Sequence, residues 1–252
     1  MKTLSLTIPL ILCTILAGCG GGAPPPEPAP TPPPPTQPTP PPRVDLEPLC
    51  RGLANSYDCG QAIERHQLRR APQLFSRAGD TLTVHLADHQ GATFVDRDVE
   101  DEAGVAYTYR EFIPGVAYHL IHAHLYEGTA FLLIGHRTGD VARLQALPVF
   151  SPDLGRFATA SEDLDARYNA TEIQIWRITQ RSPVREWSHE PAGNPVALTP
   201  DAWGPTNLRW ISSTEIRVQK VTLDPETLQR ALGDDVVIRR AGGRWAIQGN
   251  RN

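Results

Sequence analysis

From Val44 onward the apolar positions of the chain recur with two spacings, and the shorter one dominates. Four segments share one design, an alternating or wholly apolar run, a polar turn and a second run: LTVHLADHQGATFV (82–95), FLLIGHRTGDVARL (131–144), IQIWRITQRSPVREW (173–187) and VVIRRAGGRWAI (236–247). Period-two alternation sends successive side chains to opposite faces of a pleated strand, so each segment predicts a β-hairpin. Extended over the whole body, the same reading gives about fourteen strands. Helical spacing occurs twice. Asp58-Cys59-Gly60-Gln61 has the spacing of a capping box, and Ala62, Ile63, His66 and Gln67 continue a helix to about Arg70. Asp224-Pro225-Glu226, with proline at the first helical position and Gly233 as the stop, predicts a second short helix.

A strand pair that recurs every 40 to 65 residues or so belongs with arrays and propellers. The expected fold is therefore all-β, a propeller-like array of β-hairpins with two short helices. Fourteen strands make only about three and a half four-stranded blades, so a two-sheet β-sandwich or irregular barrel is the alternative. One turn sharpens the first reading. PVFSPDLGRFATAS (148–161) resembles the Ser-Pro-Asp-Gly-x-Arg-Phe turn of bacterial β-propeller blades, matched by Ser151, Pro152, Asp153, Arg156 and Phe157. Leu154 stands where that pattern has glycine, and Gly155 follows. The resemblance implies that TEIQIWRIT (171–179) is a buried strand of the same blade.

Upstream of this body the pattern changes. Residues 4–16 are apolar but fall short of the roughly 20 needed to span a bilayer, and with Lys2 before them they read as a secretory leader. The leader ends in Leu16-Ala17-Gly18-Cys19, which resembles the lipobox of bacterial lipoproteins. That resemblance implies cleavage before Cys19, acylation of its thiol and a membrane anchor. Gly20, where an aspartate retains family members at the inner membrane, implies the outer membrane, facing the periplasm. Residues 23–42 are nearly all Pro, Ala and Thr. Proline fixes φ and removes a donor, so this tract extends as polyproline II and reaches on the order of 60 Å. The expected organisation is thus a signal peptide (1–18), a lipidated tether (19–43) and one β-rich domain (44–252).

Composition adds limits. With 24 Lys and Arg against 28 Asp and Glu the formal charge is −4, or −5 once Lys2 leaves with the leader, and no basic stripe is present. Nucleic acid is not an expected partner. Of four cysteines, Cys13 leaves with the leader and Cys19 is the anchor, so Cys50 and Cys59 remain as a pair in an exported chain and point to a disulfide.

Candidate chemistry is sparse. In YHLIHAHLYEG (118–128) alternation puts His122 and His124 on one face and His119 on the other. Those two are the candidate metal ligands, needing Glu127 or His136 from nearby to complete a site. The plainer expectation is histidines on a solvent face. The acidic stretches at 96–104 and 161–169 lack the spacing of a calcium loop. No nucleophile elbow, Ser-x-x-Lys, His-Glu-x-x-His or phosphate loop occurs, and no cofactor is expected. Trp187 and Trp210 fall on predicted strands as core residues, whereas Trp203 lies in a long loop and is a candidate binding residue. Two functions follow: a non-catalytic binding or scaffolding module for an envelope protein or wall polymer, or an envelope hydrolase or metal-dependent enzyme using the histidine-rich strand.

Overall fold

The computed structural model describes residues 45–88, 90–97, 102–193, 202–224 and 226–248. The chain divides into two units, Met1–Thr36 and Gln37–Asn252, and every described residue belongs to the second. Cys19, Gly20, the apolar leader, the proline tract and Pro225 lie outside the described residues.

The described body is all-β apart from a 3₁₀ turn at Glu47–Cys50 and one helix, α1 (Ser56–Arg70). Its strands form four antiparallel sheets, and in each sheet every strand pairs with its neighbour in sequence. The first sheet holds β1 (Phe75–Ala78), β2 (Thr81–His85) and β3 (Gly91–Val95). The second holds β4 (Val105–Ile113), β5 (Tyr118–Leu125), β6 (Thr129–Gly135) and β7 (Val141–Leu144). The third holds β8 (Val149–Phe150), β9 (Arg156–Ser161), β10 (Glu172–Arg177) and β11 (Val184–His189). The fourth holds β12 (Gly204–Ser212), β13 (Glu215–Leu223), β14 (Arg230–Ala241) and β15 (Arg244–Ile247). All four expected hairpins are present, and four separate meanders exclude a two-sheet sandwich.

The sheets pack face to face in chain order. Phe75, Leu82 and Val84 of the first meet Tyr109, Ile121 and Ile134 of the second. Leu120, Leu133 and Leu144 of the second meet Phe157 of the third, and Ile173 and Ile175 of the third meet Ile216, Val218 and Ile238 of the fourth. Each sheet thus buries an apolar face against the next one, and the array is propeller-like.

Helix α1 starts earlier than the sequence suggests. Its N-cap is Asn55, whose Oδ1 accepts from Asp58 N at 2.9 Å while its Nδ2 donates to Asp58 Oδ2 at 3.1 Å. Asp58 is therefore the third helical residue of a reciprocal cap, not the cap itself. The Cys50–Cys59 disulfide, with Cα atoms 4.7 Å apart, ties the 3₁₀ turn to the first turn of the helix. The second predicted helix does not form among the described residues. Asp224 closes a turn instead, accepting Glu226 N and Thr227 N on Oδ1 and Leu228 N on its carbonyl at 2.8–2.9 Å. Gly233 lies inside β14, because Val236, Val237 and Ile238 pair along β13 and their strand preference outweighs the local helix signals.

The helix covers a strand edge. Successive backbone groups on the free edge of β4 are met by side chains: Tyr107 N donates to Asp96, Tyr107 O accepts from Arg77, Tyr109 N donates to Glu64 at 2.7 Å, and Arg110 O accepts from Gln67 at 2.9 Å. Arg77 in turn grips Glu64 with Nε and Nη2 at 2.9 and 3.0 Å. An edge that otherwise invites another strand is closed from within.

Candidate functional site: a cavity where three sheets converge

The first strands of the second, third and fourth sheets converge on a cavity of about 770 Å³. Its walls come from Leu74 just before β1, from Tyr109, Phe112 and Ile113 of β4, Val149 and Phe150 of β8, and Leu208 and Trp210 of β12, with the last turn of α1 at one side. That volume is in the range of small-molecule sites, and the lining is mostly apolar.

Three backbone irregularities meet at this cavity. The register of β4 shifts between Tyr109 and Glu111, which turns the next residues toward it. The register of β12 shifts between Thr206 and Arg209, where Asn207 is left-handed (φ 49°), held by its Nδ2 donating to Gln219 at 2.8 Å, and Leu208 enters the wall. Bulges re-aim side chains and concentrate beside functional sites. The third irregularity is Leu154, left-handed at φ 54°.

The turn around Leu154 is closed by its own residues. Leu154 N donates to Ser151 O at 2.9 Å, Gly155 N donates to Asp153 Oδ1 at 3.0 Å, and Arg156 N donates to Ser151 Oγ at 3.0 Å. Leu154 itself takes a left-handed step that glycine adopts more readily. A leucine there costs roughly 1–2 kcal/mol, and in return an isobutyl group joins the cavity wall. It lies against Gly115, where no side chain competes for the space.

The polar groups around the cavity are largely committed. Trp210 Nε1 donates to Val149 O at 2.8 Å, tying β12 to β8, and Ser151 holds its own turn. Arg209 pairs with Asp235, and Arg110 Nε stands 3.9 Å from Glu111. Beneath the floor, Tyr109 stacks on Phe75 with ring centroids 3.9 Å apart, and its hydroxyl shares a 2.9 Å hydrogen bond with His119 Nδ1. His119 Nε2 shares another, at 2.8 Å, with His136 Nδ1. Burial pushes His119 down to about 3, aided by the charge of His136, and burial pushes the Tyr109 hydroxyl well above its ordinary value.

The histidines of β5 are not solvent-facing. The strand lies between β4 and β6 with both faces covered, and His119, His122 and His124 are all buried. His122 and His124 do share a face, with ring centroids 3.8 Å apart. His122 bonds Thr129 Oγ1, and His124 Nε2 shares a 3.0 Å bond with Thr108 Oγ1 under Gly60 of α1. Burial lowers His122 to about 3 and His124 to about 4. His136 serves His119 on the opposite face. Among the described residues no group of three or more His, Cys, Asp or Glu is placed to hold a metal ion.

Trp203 immediately precedes β12 and is half-buried against the core of the third and fourth sheets, with Lys220 Nζ 5.3 Å from its ring centroid. One face of the ring is thereby occupied. Trp210, read from sequence as core, packs against the core of the third and fourth sheets, edge-on to Trp245, and also lines the cavity. In the 161–169 stretch, Asp163 is buried and accepts Arg167 N at 3.0 Å and Asn169 N at 2.7 Å, so it fastens the loop; of the 96–104 stretch, residues 98–101 lie outside the described residues.

No family model and no curated protein matches the chain. Among solved structures it is similar to a yeast (S. cerevisiae) complex of Dbp5 with Nup159 and Gle1 (TM-score 0.35, 12% identity, 69% of this chain and 46% of that one). It is similar in the same way to the N-terminal domain of Nup159 (TM-score 0.33, 12% identity, 69% and 46%). A putative 6-phosphogluconolactonase from Bacteroides fragilis follows (TM-score 0.29, 8% identity, 70% and 68%). The chain spans less than half the length of the first two. These likenesses are too distant to assign a family or an activity.

Proposed function

We propose that the chain is a lipid-anchored protein of the bacterial cell envelope whose β body is a non-catalytic binding module, taking its ligand in the cavity where the sheets converge. The observation that carries the reading is the meeting of two bulges and one left-handed leucine at a single apolar cavity. Strained backbone persists where function requires it. The lipobox around Cys19 and the proline tract support the anchor and the reach; Gly20 favours the outer membrane.

Two experiments test this. Cys19→Ala is expected to leave the precursor uncut and without lipid, and a normally acylated variant overturns the anchor. The full chain, purified from its own envelope, is expected to carry a ligand visible by native mass spectrometry, and Leu208→Trp, which fills the cavity, is expected to lose it. A Leu208→Trp protein that keeps its ligand overturns the cavity as the site, and a native chain that captures neither small molecule, envelope protein nor wall polymer overturns the binding function.

A further inference from the structure

The groups that line the cavity say what kind of molecule it takes, an inference that rests on the cavity being the binding site. Three charged side chains reach it: Arg70, Glu111 and Arg209. Arg209 is paired with Asp235, and Glu111 stands beside Arg110. Arg70, the exposed last residue of α1, has no ion pair among the described residues. Among the described residues, then, the cavity lining carries one positive charge without an ion pair, on a side chain that binds carboxylates in a two-pronged geometry.

Elsewhere in the lining the picture reverses. Donors of the walls are already spent on the protein, Trp210 on Val149, Gln67 on Arg110 and Ser151 on Asp153, and the Tyr109 hydroxyl shares its bond with His119. A sugar or nucleotide entering such walls finds few free donors, at roughly 1–3 kcal/mol for each buried polar acceptor left unpaired. An apolar body loses nothing there. The isobutyl group of Leu154, held at the cost of a left-handed backbone, has the same meaning.

We infer that the cavity takes a free monocarboxylate amphiphile, its apolar body between Leu154, Leu208 and Trp210 and its carboxylate on Arg70.

The test uses the full chain in amphipol and three photoreactive diazirine probes of equal chain length: decanoate, decanol and decyltrimethylammonium. Decanoate is expected to label the peptides containing residues 111–115, 149–154 and 208–210, in competition with unlabelled decanoate and not with phospholipid vesicles. Arg70→Ala is expected to weaken decanoate about tenfold, the order of one charge-assisted hydrogen bond, and to leave decanol unchanged. Arg70→Lys, which keeps the charge but not the two-pronged fork, should recover only part of the loss. Arg70 is exposed at a helix end, so an unchanged thermal midpoint separates lost binding from lost fold. Equal labelling by decanol and decanoate, insensitive to Arg70, overturns the carboxylate while leaving an apolar binding site intact. Competition by vesicles overturns the free amphiphile in favour of a bilayer lipid. Labelling that misses the cavity, in a protein whose native ligand is still lost in Leu208→Trp, overturns this inference and spares the proposed function.

Discussion

Gly60 lies in the middle of α1, where alanine is ordinarily better by about 1 kcal/mol, and Gly60→Ala is nevertheless expected to destabilise the protein. A Cβ built on Gly60 falls well inside contact with Thr108 Oγ1 and 2.9 Å from His124 Nε2. Both atoms are buried and joined by a 3.0 Å hydrogen bond. Neither neighbour is the end of a flexible chain, so either the helix lifts from β4 or the bond breaks. Overpacking a close-packed core costs about 1–3 kcal/mol, and stranding the two buried polar groups costs about 1–3 kcal/mol more. Against the propensity gain, the net loss is about 1–5 kcal/mol, around 3 at the centre of the range. For a body of this size that central loss lowers the thermal midpoint by about 6–12 °C. Scanning calorimetry or equilibrium unfolding in urea reads it directly. A cycle with Thr108→Ala isolates the cause, since removing Oγ1 opens the space; a favourable coupling of about 1–2 kcal/mol is expected in the double variant. A Gly60→Ala protein that melts higher, as propensity alone dictates, or a cycle with no coupling, refutes the close packing of α1 on the second sheet.

Three further outcomes follow from the same geometry. Burial holds His119 and His122 at about 3 and His124 at about 4, against about 6.5 in the unfolded chain, so the unfolded state binds protons that the folded state refuses. Stability is then complete above about pH 6.5 and declines as pH falls toward 4, each histidine contributing a slope of up to about 1.4 kcal/mol per pH unit; a midpoint that is flat between pH 7 and 4.5 sinks this. Replacing Cys50 and Cys59 by serine opens a short loop and is expected to cost about 2–3 kcal/mol in urea unfolding, with loss of hydrogen-exchange protection confined to the first turn of α1; protection lost throughout the body contradicts a local role. Leu154→Gly relieves the left-handed backbone but removes a side chain from the cavity wall, so its stability should stay within about 1 kcal/mol of the parent while ligand binding weakens measurably. Binding that is unchanged in this variant detaches the strained turn from the site.

The hairpins were legible because each is a local matter: alternation in LTVHL or an apolar run in FLLIG, and a polar turn between partners only a few residues apart. The fold class followed, as did the disulfide, which needs only two cysteines near one another. Asp224 misled because a helix cap and a tight turn use the same carboxylate on the same nearby amides, and only the pairing of Val236 with Val218 across the sheet decides between them. The histidines of β5 misled for a similar reason. Alternation tells which side chains share a face, not whether that face meets water or α1. The cavity was invisible, because its walls come from α1, β4, β8 and β12, more than 100 residues apart in sequence, and because its distinguishing marks are bulges, which interrupt the very periodicity that reveals strands. Leu154 was the one trace, a residue out of place in a familiar turn.

The meander of each sheet has a consequence for how the molecule forms. Where every strand pairs with the next one along the chain, closing each pair spans a short loop, and the entropy lost grows only slowly with loop length. The topology has low contact order for an all-β protein, which favours rapid folding one sheet at a time. Longer closures join the sheets, among them Glu64 on the Tyr109 amide, 45 residues apart, and Trp210 on the Val149 carbonyl, 61 apart. Docking of α1 on β4 is one of these later closures, and the edge it covers is the one through which unfinished chains would find each other.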